Sequence, residues 1–197
     1  MIDEVLSFWF GELDDQGRAD PEKVSRWFKK DPDFDAEIVE RFSDLHSRIA
    51  AGERESWLDT PRGLLAYVIV LDQFSRNMFR GTPKMYATDE QGLQAALKGI
   101  ERGDDTSHPF AYRVFLYMPL MHSEELAMQQ RCVELFEDFR DASEGAKRES
   151  LENNHDYAVQ HLRIVERFGR FPHRNEILGR ESTPEEVEFL KQPGSSF

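Results

Sequence analysis

The sequence predicts an all-α domain. Three observations carry that expectation: apolar residues recur at steps of three and four, the two stretches richest in strand-forming residues do not alternate, and helix-start and helix-stop residues follow one another at short intervals. Asp20-Pro21, Thr60-Pro61, Thr82-Pro83 and Thr183-Pro184 each set a capping side chain before a proline at the first helical position, where the missing N–H is not needed. Thr183 with Glu186, and Thr88 with Gln91, have the spacing of a capping box. Gly11, Gly52, Gly103 and Gly169 read as stops.

Between these signals the elements fall in order as eight or nine helices, near 2–10, 21–29, 34–51, 61–76, 83–102, 109–118, 123–140, 145–168 and 184–191. In 34–51 the stripe is Phe34, Ile38, Phe42, Leu45 and Ile49. Leu64–Leu71 and Tyr112–Leu120 are continuous apolar runs set among strong helix signals, as expected of helices buried all round. Leu126, Val133 and Phe136, with Met128 and Phe139, mark 123–140, and Tyr157, His161, Ile164 and Phe168 mark 145–168. No Ser/Gly/Pro-rich linker divides the chain, so residues 1–197 read as one domain of stacked antiparallel helical hairpins. No clean 34-residue period is present.

Composition narrows function. The formal charge is −13, a coat that repels phosphate backbones and anionic leaflets, so neither nucleic acid nor membrane is expected as a partner. The lone Cys132 excludes an internal disulfide framework and reads as a small buried hydrophobe. The longest apolar run, eight residues, is far short of a membrane span, and Met1-Ile2-Asp3-Glu4 lacks the basic start of a secretion signal; a cytoplasmic protein is expected. There is no G-x-S-x-G, Walker loop, dinucleotide fingerprint or H-E-x-x-H, and His155 and His161, six apart, make a poor metal pair. No metal or cofactor is called for, and the oligomeric state is not indicated.

Polar residues break the helical pattern at a few places. Residues 161–180 carry Arg163, Arg167, Arg170, Arg174 and Arg180 against Glu166 and Glu176, a net +3 island in an acidic chain. Such an island either binds an anion or neutralises acidic neighbours. His161 lies on the broad apolar face of its helix, as a satisfied core histidine or as the floor of a pocket. After Gly169, Arg170-Phe171-Pro172-His173-Arg174-Asn175 forms a turn dense in donors, which would otherwise cap helix carbonyls. Arg76 to Gly81 and Arg174 to Gly179 share the pattern R-N-x-[apolar]-x-G, so two similar turns are expected to face each other across one site. Asp72 and Arg76 have pairing distance along a helix, and Gln73, Arg76, Asn77 and Arg80 share a face. His122 is expected just outside a helix capped by Ser123, either facing a ligand or merely marking the junction.

The runs Leu71–Thr82 (LDQFSRNMFRGT), Phe115–Glu124 (FLYMPLMHSE) and Arg167–Arg180 (RFGRFPHRNEILGR), with Val5–Gly11 and Arg26-Trp27-Phe28, closely resemble the bacterial domain-of-unknown-function family 924 over essentially the whole chain. The resemblance implies an α-α superhelix of the tetratricopeptide-repeat-like class and no established activity. Ser75 departs from it, because the family commonly has proline before Arg-Asn.

The functional expectation is a pocket for a small anionic or polar metabolite, walled by Arg76, Asn77, His122, His161, Arg170, His173, Arg174 and Asn175. Arginine offers bidentate contacts to carboxylate or phosphate, and asparagine orients the ligand. If a reaction occurs, His161 or His173 is the general base with an arginine stabilising negative charge; no nucleophile is identified. The alternative is a helical scaffold that binds a protein or peptide, with the polar turns bracing its hairpins.

Overall fold

A computed structural model describes residues 1–196, and these are all-helical, with no strand. The helices are α1 (Ile2–Phe10), α2 (Pro21–Trp27), α3 (Pro32–Ala50), α4 (Pro61–Ile69), α5 (Ser75–Met78), α6 (Asp89–Arg102), α7 (Asp104–Ser107), α8 (Phe110–His122), α9 (Leu126–Asp141), α10 (Gly145–Phe168) and α11 (Pro184–Phe189). A π-helical segment, Val70–Phe74, joins α4 to α5, and 3₁₀ turns span Glu55–Asp59, Pro83–Tyr86 and Pro172–Arg174. The residues fall into two compact units: Met1–Arg80 with Lys84–Pro119, and Gly81–Pro83 with Leu120 onward.

The first unit is organised by aromatic rings. Phe8 meets Phe42 edge-on at 5.0 Å, Phe10 meets Phe115 at 5.3 Å, and Trp9 meets Phe74 at 5.7 Å. All of these side chains are buried, and each such pair adds about 0.5–1.5 kcal/mol beyond its burial. The Trp27 indole N–H donates to the Trp9 carbonyl at 2.9 Å, which ties α2 to α1. Helix α4 and the π segment are buried from Gly63 through Phe74, as their continuous apolar run requires.

In the second unit α9 and α10 pair as a hairpin over Cys132, Phe136, Leu151 and Ala158. Beyond it Ile164, Val165 and Phe171 form a core closed by Phe168 and Phe189. Gly169, in the left-handed region at φ 68°, ends α10 where the sequence places a stop.

Several local expectations need correcting. The helix expected at 83–102 is a 3₁₀ turn followed by α6. Thr88 makes no cap bond; its hydroxyl donates to the Leu71 carbonyl at 2.7 Å, while Gln91 reaches Tyr67 and Ile49. Both side chains of the expected capping box are thus committed to other elements of the fold. Helix α8 runs through Pro119 to His122, so His122 is the last helical residue and not a residue outside the next helix. Proline inside a helix costs about 3 kcal/mol. Burying Leu116, Tyr117, Leu120 and Met121, at about 1.5–3 kcal/mol for each large apolar side chain, outweighs that. The N-cap of α9 is Glu125, and Ser123 Oγ accepts from its N–H at 3.1 Å. Tyr157, placed on the apolar stripe by its spacing, is 54% exposed.

Candidate functional site

The two Arg-Asn turns belong to different units. Arg76 and Asn77 lie in the first, where acidic side chains hold them. Arg76 bonds Asp72 at 3.2 Å and both oxygens of Asp89 at 3.1 Å. Burial works against its charge, yet the two carboxylates raise its pKa. Asp72 is buried, so the expected pair forms inside the fold and not on a helix surface. Asn77 and Arg80 both donate to Asp35, at 2.8 Å for the amide and 2.7 and 2.9 Å for the guanidinium.

His46 Nε2 stands 2.7 Å from Ser75 Oγ, a contact that resembles a nucleophile and its base. The proton inventory says otherwise. Thr88 donates its hydroxyl proton to Leu71, so in the 2.9 Å Ser75–Thr88 contact Ser75 is the donor. Ser75 therefore accepts from His46 Nε2–H, and the imidazole has no lone pair aimed at it. With Ser75 wholly buried, the chain is structural.

The second unit contains His122, His161, Arg170, His173, Arg174 and Asn175. They do two kinds of work. Arg170 grips Glu186 with both prongs at 2.7 and 2.8 Å and reaches the Glu181 carbonyl at 2.9 Å. Buried Asn175 donates to Ser182 and Glu186 and accepts from Arg180 at 3.0 Å. Arg180 in turn clamps Glu124 at 2.6 and 2.9 Å, and that carboxylate accepts the Phe171 N–H at 2.8 Å. Burial pushes Glu124 up, but these donors hold it below the ordinary carboxylate range. The Arg170 guanidinium leads the effects that hold Glu186 down to about 2. Arg167 also pairs outward, with Glu185 at 2.8 Å. Much of the cationic island is thus matched by acids that lie far away in sequence.

The other members gather around the ring of Phe171, which is wholly buried. His161 meets it edge-on at 5.5 Å, His173 tilts against it at 5.5 Å, and the Arg174 guanidinium sits 4.7 Å over it. Arg174 is 7% exposed and donates to the carbonyl of His122 at 2.7 Å, so it caps the C-terminal end of α8. Next to it Gln129 donates its amide to the carbonyls of Met121 and Ser123 at 2.7 and 2.6 Å. His161 is buried, with Nδ1 2.8 Å from the Tyr157 carbonyl. Its burial, assisted by His122, His173 and Arg174, holds its pKa down to about 3 against the pull of that carbonyl. The buried, bonded imidazole expected from the stripe is present.

Gln129, Glu124 and Glu186 were not among the expected site residues. The capping-box spacing marked Glu186, but nothing local marks Glu124 or Gln129. Among the described residues no group of three or more His, Cys, Asp and Glu side chains could hold a metal ion, and no helix is long and apolar enough to cross a membrane.

The model of the family described as "Bacterial protein of unknown function (DUF924)" matches residues 5–194. The chain belongs to this family. It is also similar to the solved structure of a protein of unknown function, ATU0120, from Agrobacterium tumefaciens. The two are 39% identical, the match covers 96% of each chain, and the TM-score is 0.76. No curated protein matches the chain.

Proposed function

We propose that the protein binds a small anionic or polar metabolite, and that His122, His161, His173 and Arg174 receive it. The observation that carries this reading is the convergence of two imidazoles and a buried guanidinium on the single ring of Phe171. Enclosed cationic and polar heads of this kind recognise compact anions, because low dielectric strengthens each contact. Arg170 and Asn175 fit the role of holding the turn in shape, and Arg76 and Asn77 the same role in the other turn. If proton transfer occurs, His161 is a poor base, since an imidazole held near 3 takes protons poorly at neutral pH, which leaves His173 as the other histidine of the cluster expected in that role.

The test is a melting series with phosphate, sulfate and small carboxylates at matched ionic strength. Binding to the folded state raises stability by about 2.7 kcal/mol at a hundredfold excess over the dissociation constant. Arg174→Lys keeps the charge but loses the planar fork, and the gain should shrink. A series flat across all anions overturns the proposal. It would leave the helical scaffold for a protein or peptide, a reading that the internal bonding of Arg76, Asn77, Arg170 and Asn175 favours.

A further inference from the structure

We propose that α2 and the turn after it dock a short acidic peptide segment that carries one bulky apolar side chain. The surface lies wholly in the first unit and is independent of the anion reading. Helix α2 buries none of its own residues; it is held through Trp27, whose indole bonds the Trp9 carbonyl. Val24 is 43% exposed, and Phe28, one turn on, is 73% exposed, the most of any large apolar side chain among the described residues. Phe28 is not a loose end. Its ring lies parallel to that of buried Phe115, 6.5 Å away, and edge-on to Trp27 at 6.2 Å. A ring that is already fixed loses little entropy when a partner packs on it.

Charge selects the partner. Residues 21–30 carry Lys23, Arg26, Lys29 and Lys30 against Glu22, in a chain of formal charge −13. Asp31 and Glu37 hold Arg26 at 3.3 and 3.7 Å. Lys23, Lys29 and Lys30 enter no ion pair among the described residues. Three ammonium groups without carboxylates, beside two bare apolar side chains, complement an acidic segment with an apolar anchor. Size then limits the occupant. Seven helical residues span about 10 Å, a length that about three or four residues of extended chain cover. Longer polyanions and lipid surfaces extend past the lysines onto the acidic coat, which repels them. A second copy would need about 800 Å² on each side and would bring the same negative charge. A short acidic segment meets only the lysines.

The probe is a fluorescein-labelled peptide of one Phe flanked on either side by a run of Asp, titrated with the full chain and followed by anisotropy. It should bind, and more weakly as sodium chloride is raised from about 50 to about 500 mM. Replacing the peptide's Phe by Ser, or Phe28→Ala in the protein, should each weaken binding roughly tenfold. Lys29→Glu combined with Lys30→Glu should abolish it. If a variant does not fold, backbone amide shifts in the unaltered protein replace it, and on peptide addition these should concentrate at residues 23–30. No binding at millimolar peptide, or binding indifferent to Phe28 and the lysines, overturns the proposal. Tighter binding to oligothymidylate or to phosphatidylglycerol vesicles than to the peptide does the same. So does a concentration-dependent mass in sedimentation that Phe28→Ala removes, which would assign the surface to a second copy.

Discussion

Glu186 closes the C-terminal turn through four donors: two from Arg170, the Thr183 N–H and the Asn175 amide. Glu186→Ala takes an acceptor from the buried Asn175 amide as well as from the half-buried Arg170, so it should lower the midpoint of urea unfolding. The acid dependence has a definite sign. The folded pKa, about 2, lies below the ordinary carboxylate range, so the unfolded chain binds the proton first. This stabilisation is complete at neutral pH and is lost as pH falls from about 4.5 toward 2; Glu186→Gln should flatten that part of the profile. His161 acts in a higher window. Held near 3 when folded and near 6.5 when unfolded, it makes the unfolded state take protons as pH drops below 6.5. Stability should therefore fall from pH 6.5 toward 3; burial also lowers His46 and His108, which add to that slope, so His161→Leu should make it shallower without removing it. A variant whose pH profile overlays the original would show that the imidazole is not held neutral by the fold.

The π segment between α4 and α5 shows how far local rules reach. Helix spacing made this stretch legible as buried helix, because twelve consecutive residues from Gly63 through Phe74 face protein on every side. The wider i→i+5 winding was not legible, and neither was the bond from Thr88, seventeen residues beyond Leu71, to the Leu71 carbonyl within it. Thr88→Val keeps the shape and deletes the hydroxyl. It leaves the Leu71 carbonyl and the Ser75 hydroxyl buried without their partner, and should cost about 1–3 kcal/mol. Faster amide exchange confined to residues 70–75 would locate the loss; unchanged exchange there would refute the role given to Thr88. The candidate site follows the same logic. Arginine, histidine and asparagine stood out in the sequence because they interrupt apolar stripes. Their partners Asp35 and Glu124 did not, because they sit 45 and 56 residues from Arg80 and Arg180 on ordinary polar faces, while Glu186 stood out only as a cap and not as the partner of Arg170, sixteen residues away.

Across the whole chain, a formal charge of −13 sets like-charge repulsion against many local ion pairs. Most of those pairs are exposed, as in Arg18–Asp14, Arg48–Glu53, Arg62–Asp3 and Lys191–Glu188, and water screens such pairs so that each contributes little. Salt screens both effects, but the exposed pairs have little to lose while thirteen uncompensated charges repel over longer distances. Raising inert salt from low to physiological ionic strength should therefore stabilise the fold, by on the order of 1 kcal/mol or about 2–4 °C in Tm. Sodium chloride is the right probe, because a salt with a multivalent anion would add binding to screening. The same field should keep duplex DNA from binding even at low salt, where phosphate contacts are strongest. A melting temperature that falls as salt is added would mean that the ion pairs outweigh the net repulsion. The arginines would then rank among the main stabilising residues of the surface, and a compact anion would gain little from the island at 161–180.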